Sequence, residues 1–204
     1  MMRSLPFLLL TSLALVPCAC ATPMTAVTQG YTYGYPVVLM DLTREGSTGP
    51  NRICGFDADL NSFKHLYDIP DPDFTAVVRP NVDTLYSSAF LDLSEGPMVL
   101  EMPPTDDRYV LMALFDAWSN NFAGLGTPSH GTTGGRYLIA HQDWNGPVPE
   151  GFTDRIDSPT PLVWIIGRTE VRGPDDRAAA NAVQDGLVLE PLLPTTPPPS
   201  YPCQ

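Results

Sequence analysis

The spacing of apolar residues changes character about a third of the way along the chain. In TAVTQGYTYGYPVVLMDLT (25–43), Val27, Tyr31, Tyr35, Val38 and Leu42 recur at helical spacing. Gly30, Gly34 and Pro36 interrupt that stretch, so the expectation is a kinked or two-part helix. Residues 44–72 are polar and turn-rich, closing in the Asp-Pro punctuation of DIPDPDF. The pattern then becomes strand-like, with runs centred on Ala76–Val78, Leu85–Leu93, Met98–Met102, Tyr109–Phe115, Tyr137–Ala140 and Leu162–Ile166. Turn signals such as SEGP, PPTDD, SHGTTGG and WNGPVPEG separate them, with no helix between successive strands. The predicted class is mainly β: an antiparallel β-sandwich or jelly-roll-like domain with an N-terminal kinked helix and one late helix.

The late helix is expected in PDDRAAANAVQDGLVLEPL. Pro174, Asp175 and Asp176 suit its first turn, Ala179, Ala182, Val183 and Leu187 would line one face, and Pro191 would stop the run. The stretch PLLPTTPPPSYPCQ (191–204) holds six prolines, and residues 194–204 are expected to form an extended tail without a core. Residues 1–21 have the layout of a secretory signal: Arg3, an apolar run from Leu5 to Val16, and Ala19-Cys20-Ala21 as a cleavage site. That run is short for a bilayer, so no stable membrane span is expected and the protein is expected to be exported, secreted or periplasmic. Pro17 makes a poor lipobox around Cys18 or Cys20, which leaves a lipid anchor as the lesser alternative.

Composition sharpens this picture in two respects. The chain carries a formal net charge of −12, and loss of Arg3 with the signal would remove one more positive charge. Such a chain repels phosphate backbones, so no nucleic acid partner is expected. Of four cysteines, Cys54 and Cys203 would remain after cleavage, where export would allow a disulfide; two unpaired thiols are the plainer expectation.

Candidate chemistry concentrates where apolar strands meet charge. RPNVDTLYSSAFLDL (79–93) opens with Arg79, Asn81 and Asp83, which share a face with Leu85, Ala89, Leu91 and Leu93 if the alternation extends back that far; a slip at Pro80 would reverse this. Tyr86 would face the other way, packing against another layer. Leu111 to Phe115 are apolar on both faces, implying a central strand, and Asp116 follows directly. Leu162, Trp164 and Ile166 share a face with Arg168. These tips are expected to converge on one rim, either as ion pairs sealing the core or as a pocket. The pocket would use Asp83 or Asp116 as catalytic carboxylates and Arg79, Asn81, Tyr86 and Arg168 as ligand contacts.

Familiar catalytic signatures are absent: there is no G-x-S-x-G, H-E-x-x-H, P-loop or dinucleotide fingerprint, and no cofactor is expected. His65, His130 and His141 are scattered; a metal site from His130, His141 and Asp143 can be drawn, but surface or loop histidines are the simpler expectation. SHGTTGG (129–135) can cradle an anion or simply connect a hairpin.

Several of these segments resemble the family catalogued as domain of unknown function 1254: YTYGYPVVLM, RPNVDTLYSSAFLDL, RYVLMALFDAWSNNFAGLGT, YLIA with WNGPVPEG, and VWIIGRTEV with AVQDGLVLEPL. The resemblance runs in order from about Ala26 to Leu193, so residues 26–193 are taken as the β-rich domain. It implies a β-rich sandwich with a few helices, usually followed by a companion, domain of unknown function 1214, in place of which this chain has its proline-rich end. Pro128 stands where relatives commonly carry a basic residue. The expected partners are therefore a second copy of the chain or a companion β-domain protein. The leading expectation is an exported module that binds a ligand or partner. The alternatives are a hydrolase or lyase using the strand-end carboxylates with arginine anion binding, and a degenerate half of a two-domain ancestor.

Overall fold

The computed structural model describes residues 23–52, 57–71, 81–194, 198 and 200–202. Cys54, Cys203, Arg79, the run Ala76–Val78 and the signal-like segment all lie outside the described residues. The chain divides between Gly34 and Tyr35 into two compact units. Helix α1 (Pro23–Thr48) begins in the first unit and continues into the second, and it is one helical element with Pro36 inside it. In the second unit Met40 is buried, while Val38, Leu39 and Leu42 are exposed. Two threonines near its end, Thr43 and Thr48, donate back to the carbonyls of Leu39 and Arg44. No helix among the described residues is long and apolar enough to cross a membrane.

The second unit is a two-sheet, mostly antiparallel β structure. β1 (Lys64–His65), β2 (Thr84–Asp92), β4 (Val110–Phe115), β5 (Asn121–Gly126) and β8 (Leu162–Glu170) form a five-stranded sheet in the order β1-β2-β8-β4-β5. β3 (Met98–Met102), β6 (Gly135–His141), β7 (Asp154–Ser158) and β9 (Val188–Pro191) form a four-stranded sheet in the order β7-β6-β3-β9. All pairings are antiparallel except that of β6 with the edge strand β7.

The alternation read in β2 holds: Leu85, Ser87, Ala89 and Leu91 are buried on one face. β8 does the same with Val163, Ile165, Gly167 and Thr169, and β4 with Val110, Met112 and Leu114. These meet Met98, Leu100, Met102, Tyr137 and Ile139 of the second sheet in one continuous core. Burying such side chains is worth about 2 kcal/mol each, the main force holding the sheets together.

Three expectations need correction. The late helix, α3 (Arg177–Asp185), follows a 3-10 turn at Pro174–Asp176 and buries Ala180 and Gln184, while Ala179 and Ala182 are exposed. The helix turns its Gln184 side inward because that amide satisfies sheet groups, described below. It also ends before Gly186, and the residues up to Pro191 form β9 on β3 rather than a helical run. Finally, the segment around SHGTTGG is not a hairpin: it carries the short helix α2 (Thr127–His130) and joins β5 of one sheet to β6 of the other. Gly126, entering it at φ 110°, is a position for glycine alone, since a Cβ would collide with the Val110 carbonyl.

Candidate functional site

β2 and β4 run parallel to each other on either side of β8, and this decides where the strand-tip charges go. Thr84 pairs with Glu170 at the start of β2, and Val110 pairs with Thr169 at the start of β4. Asp83 therefore sits beside Val171, whose amide donates to its carbonyl at 2.8 Å. Asp116 follows Phe115, the partner of Trp164, at the opposite end of the same sheet. The two carboxylates are separated by about eight residues of β8, about 26 Å. They do not share a rim.

Asp83 is not on the core face where the alternation placed it, whereas Asp116 follows the apolar run of β4 directly, as expected. Asp83 is exposed, because the strand begins only at Thr84 and residues 82 and 83 form a bend. Asn81 organises that bend: its Oδ1 accepts from the amides of Asp83 (3.1 Å) and Thr84 (2.6 Å) and from Thr84 Oγ1 (2.8 Å). Asp116 is buried at 4% exposure. It is fully occupied by the β4–β5 turn, accepting from the amides of Trp118 (2.8 Å) and Asn120 (2.9 Å) and from Asn120 Nδ2 (3.0 Å).

Among the described residues, the ion pairs at the Asp83 end of the core are others than those singled out in the sequence. Arg108, 8% exposed, donates twice to the Asp176 carboxylate at 2.6 and 2.7 Å and once to the Glu170 carbonyl at 2.6 Å. Arg172 bridges Glu170 (3.1 Å) and Asp107 (2.8 Å). The Arg108 guanidinium, helped by the Arg172 amide, holds Asp176 far below the usual carboxylate range, and Arg172 lowers Glu170 and Asp107. Little in the sequence signals this set, since Arg108 and Arg172 lie in connecting segments just outside the apolar runs.

Arg168 is different. Its side chain lies half-buried on the face of the five-stranded sheet turned away from the core, directly across from Tyr86 on β2 and Leu111 on β4. The guanidinium carbon sits 5.3 Å from the Tyr86 ring centroid, a cation–π contact. Among the described residues it has no hydrogen bond and no carboxylate partner. The other seven described arginines, Arg44, Arg52, Arg108, Arg136, Arg155, Arg172 and Arg177, each meet one. Thus two of the candidate ligand contacts, Tyr86 and Arg168, come together, as their shared face on facing strands required. Asn81 lies near them: Thr84, which holds its Oδ1, is two residues from Tyr86 on the same face, and the Asn81 Nδ2 is buried without an acceptor among the described residues. A separate cavity of about 220 Å³ lies at the same end, lined by Ile69, Val82, Val171, Gly173, Pro174 and Arg177.

The histidines are dispersed. His130 approaches Asp154 at 3.7 Å and His141 approaches Asp143 at 3.6 Å. His65 stands apart, its Nδ1 hydrogen-bonded to Ser87 Oγ at 2.8 Å beneath α3. No three metal-ligating groups converge among the described residues.

With the geometry in place, comparison with known proteins adds the family. The sequence profile of the family described as Protein of unknown function (DUF1254) matches residues 60–191. The chain belongs to the DUF1254 family. A solved structure, that of the VPA0106 protein from Vibrio parahaemolyticus, superimposes with a TM-score of 0.66 at 23% identity, covering 84% of this chain and 41% of that one. The chain thus spans well under half of that neighbour, and the likeness is one of fold. No curated protein matches the chain.

Proposed function

We propose that this DUF1254 domain is an exported β-sandwich module that binds a small anionic ligand on the outer face of its five-stranded sheet, with Arg168 as the charged contact. One observation carries the reading: in a chain of net charge −12, Arg168 alone among the described arginines has no carboxylate, although it is half-buried. Burying a cation without a counter-charge is costly, and a bound anion removes that cost. The guanidinium fork matches a carboxylate, and the Tyr86 ring beneath it fixes the plane of the fork. Asn81 Nδ2, a buried donor at the head of β2 with no acceptor among the described residues, offers a second contact.

The catalytic alternative draws less support, because Asp83 and Asp116 lie at opposite ends of the sheet and Asp116 is consumed by its turn. A polypeptide partner is supported by exposed Val38, Leu39 and Leu42 on α1, the surface a second copy would cover. Light scattering behind a sizing column checks it, a strict monomer at high concentration counting against it.

The anion reading is tested by calorimetric titration of the purified protein with acetate and with inorganic phosphate, alongside Arg168→Gln. Carboxylate binding that weakens tenfold or more in the variant supports it. Binding unaffected by the substitution, or no binding at all, overturns it. Export is checked by sequencing the N-terminus of protein recovered outside the cytoplasm, which should begin at Thr22.

A further inference from the structure

The outer face of the five-stranded sheet is built in rungs, because cross-strand partners on β2, β8, β4 and β5 lie side by side. The first rung holds Tyr86, Arg168 and Leu111. The next holds Ser88, Ile166, Ala113 and Gly124 on those four strands, with Lys64 of β1 beside Ser88 at the sheet edge and 3.7 Å from Asp57. The third holds Phe90, Trp164 and Phe115. The rungs differ sharply in bulk. The third is an aromatic wall: Phe90 and Trp164 stack with centroids 5.2 Å apart and planes 8° apart, and Phe115 tilts against Trp164 at 6.3 Å. The indole N–H of that wall is already satisfied by Ser88 Oγ at 2.9 Å, and Phe90 is itself buried at 2% exposure, so the apolar surface the wall presents is that of the half-buried Trp164 and Phe115. Between the wall and the Arg168 rung, three of the four positions are serine, alanine and glycine. A Cβ on Gly124 would meet only Leu111, at an ordinary contact distance. The middle rung is therefore a shallow depression floored by Ile166.

The geometry points to a ligand of defined class: an aliphatic monocarboxylate of medium chain length, its carboxylate on Arg168 and its chain lying along Leu111, Ile166 and Ala113 toward Trp164. This rests on the anion-binding reading above and adds the apolar half of the ligand. The distance from the Arg168 rung to the Trp164 rung is four residues, about 13 Å, so the depression suits a medium chain laid along the strands. One guanidinium neutralises one charge, and a chain of net charge −12 disfavours multiply charged anions, which selects a monocarboxylate over a phosphate ester. The side chains along the proposed path, Leu111, Ile166, Ala113 and Trp164, are apolar except for an indole N–H already held by Ser88, which selects an alkyl body over a sugar or a nucleoside.

The test is a calorimetric series with acetate, hexanoate, decanoate and decanol, each below its aggregation concentration, against the full chain and the variants Arg168→Gln, Ala113→Phe and Gly124→Leu. Affinity should rise about twofold to fourfold for each methylene laid on the apolar rungs. Decanoate should then exceed acetate by well over tenfold and decanol by at least tenfold. Ala113→Phe or Gly124→Leu, each filling the depression from a different strand, should remove the chain-length advantage while acetate still binds. Circular dichroism of the two filling variants confirms that they fold, and either suffices. Acetate and decanoate binding equally, both through Arg168, would overturn this inference and leave the anion reading standing. Decanol matching decanoate would overturn it as well, because the head group would then contribute nothing. If no carboxylate binds, or none is sensitive to Arg168→Gln, both fall.

Discussion

Arg108 and Asp176 face each other across 68 residues of sequence through two parallel N–H···O bonds of 2.6 and 2.7 Å, tying the start of β4 to the turn that begins α3. Because the pair holds the Asp176 carboxyl well below its ordinary value of 3.8, its contribution to stability is present above that value and is lost as pH falls through and below it. Urea midpoints measured in steps below about pH 5 should therefore fall more steeply for the natural protein than for Asp176→Asn, which has no carboxyl there to titrate. Equal slopes would mean that the pair contributes nothing to acid stability.

Asp116 is a turn residue before it is anything else. Replacing it with Ala leaves two backbone amides and the Asn120 side chain without their acceptor in a site 4% exposed, and should cost about 2–3 kcal/mol by urea unfolding. The affinity of the folded variant for any ligand held at Arg168 should be unchanged, since the two sites lie at opposite ends of β8.

His65 stacks on Phe63 at 5.4 Å and shares Ser87 with Gln184, whose Nε2 donates to Ser87 Oγ at 3.1 Å and to the Tyr86 carbonyl at 3.0 Å. Burial lowers the His65 pKa below its usual 6.5, a shift only partly countered by Asp185, so the fold favours the neutral ring. Stability from this site is complete above pH 6.5 and declines as pH drops below it, because the unfolded chain then binds the proton more readily. His65→Gln should flatten the thermal-stability profile between about pH 7 and pH 5.

Thr169 offers the opposite kind of test. It is fully buried on the core face of β8, and its hydroxyl has no hydrogen-bond partner among the described residues. Thr169→Val keeps the shape and removes the unsatisfied oxygen, so it should raise stability by about 1 kcal/mol. A loss would indicate that the hydroxyl is satisfied by water in solution.

The strands with strong alternation or dense apolar runs, β2, β3, β4, β6 and β8, were legible because their side chains build the core. β5 was not: NFAGLG carries two glycines, and its pairing depends on β4 beside it. β7, DRIDS, is a polar edge strand that among the described residues pairs with β6 alone. β9 read as helix because its sequence continues the α3 pattern, and only the contact with β3 decides otherwise. For the site, the shared face of Tyr86 and Arg168 followed from period-two geometry once the two strands paired. The relative direction of β2 and β4, which sends Asp83 and Asp116 to opposite ends, depends on which strand lies between them. No local pattern carries that information.

The margins of both sheets have a bearing on solubility. β1 is two residues long and carries Lys64, β5 ends in glycine, β7 displays Asp154, Arg155 and Asp157, and β9 is four residues long and closes on Pro191. None of these margins offers another chain a long, flat, apolar row of free amides and carbonyls to zip onto. Molecules crowded together should therefore resist recruiting one another into amyloid-like fibrils, and the broad apolar interior can remain intact without becoming a seed for them.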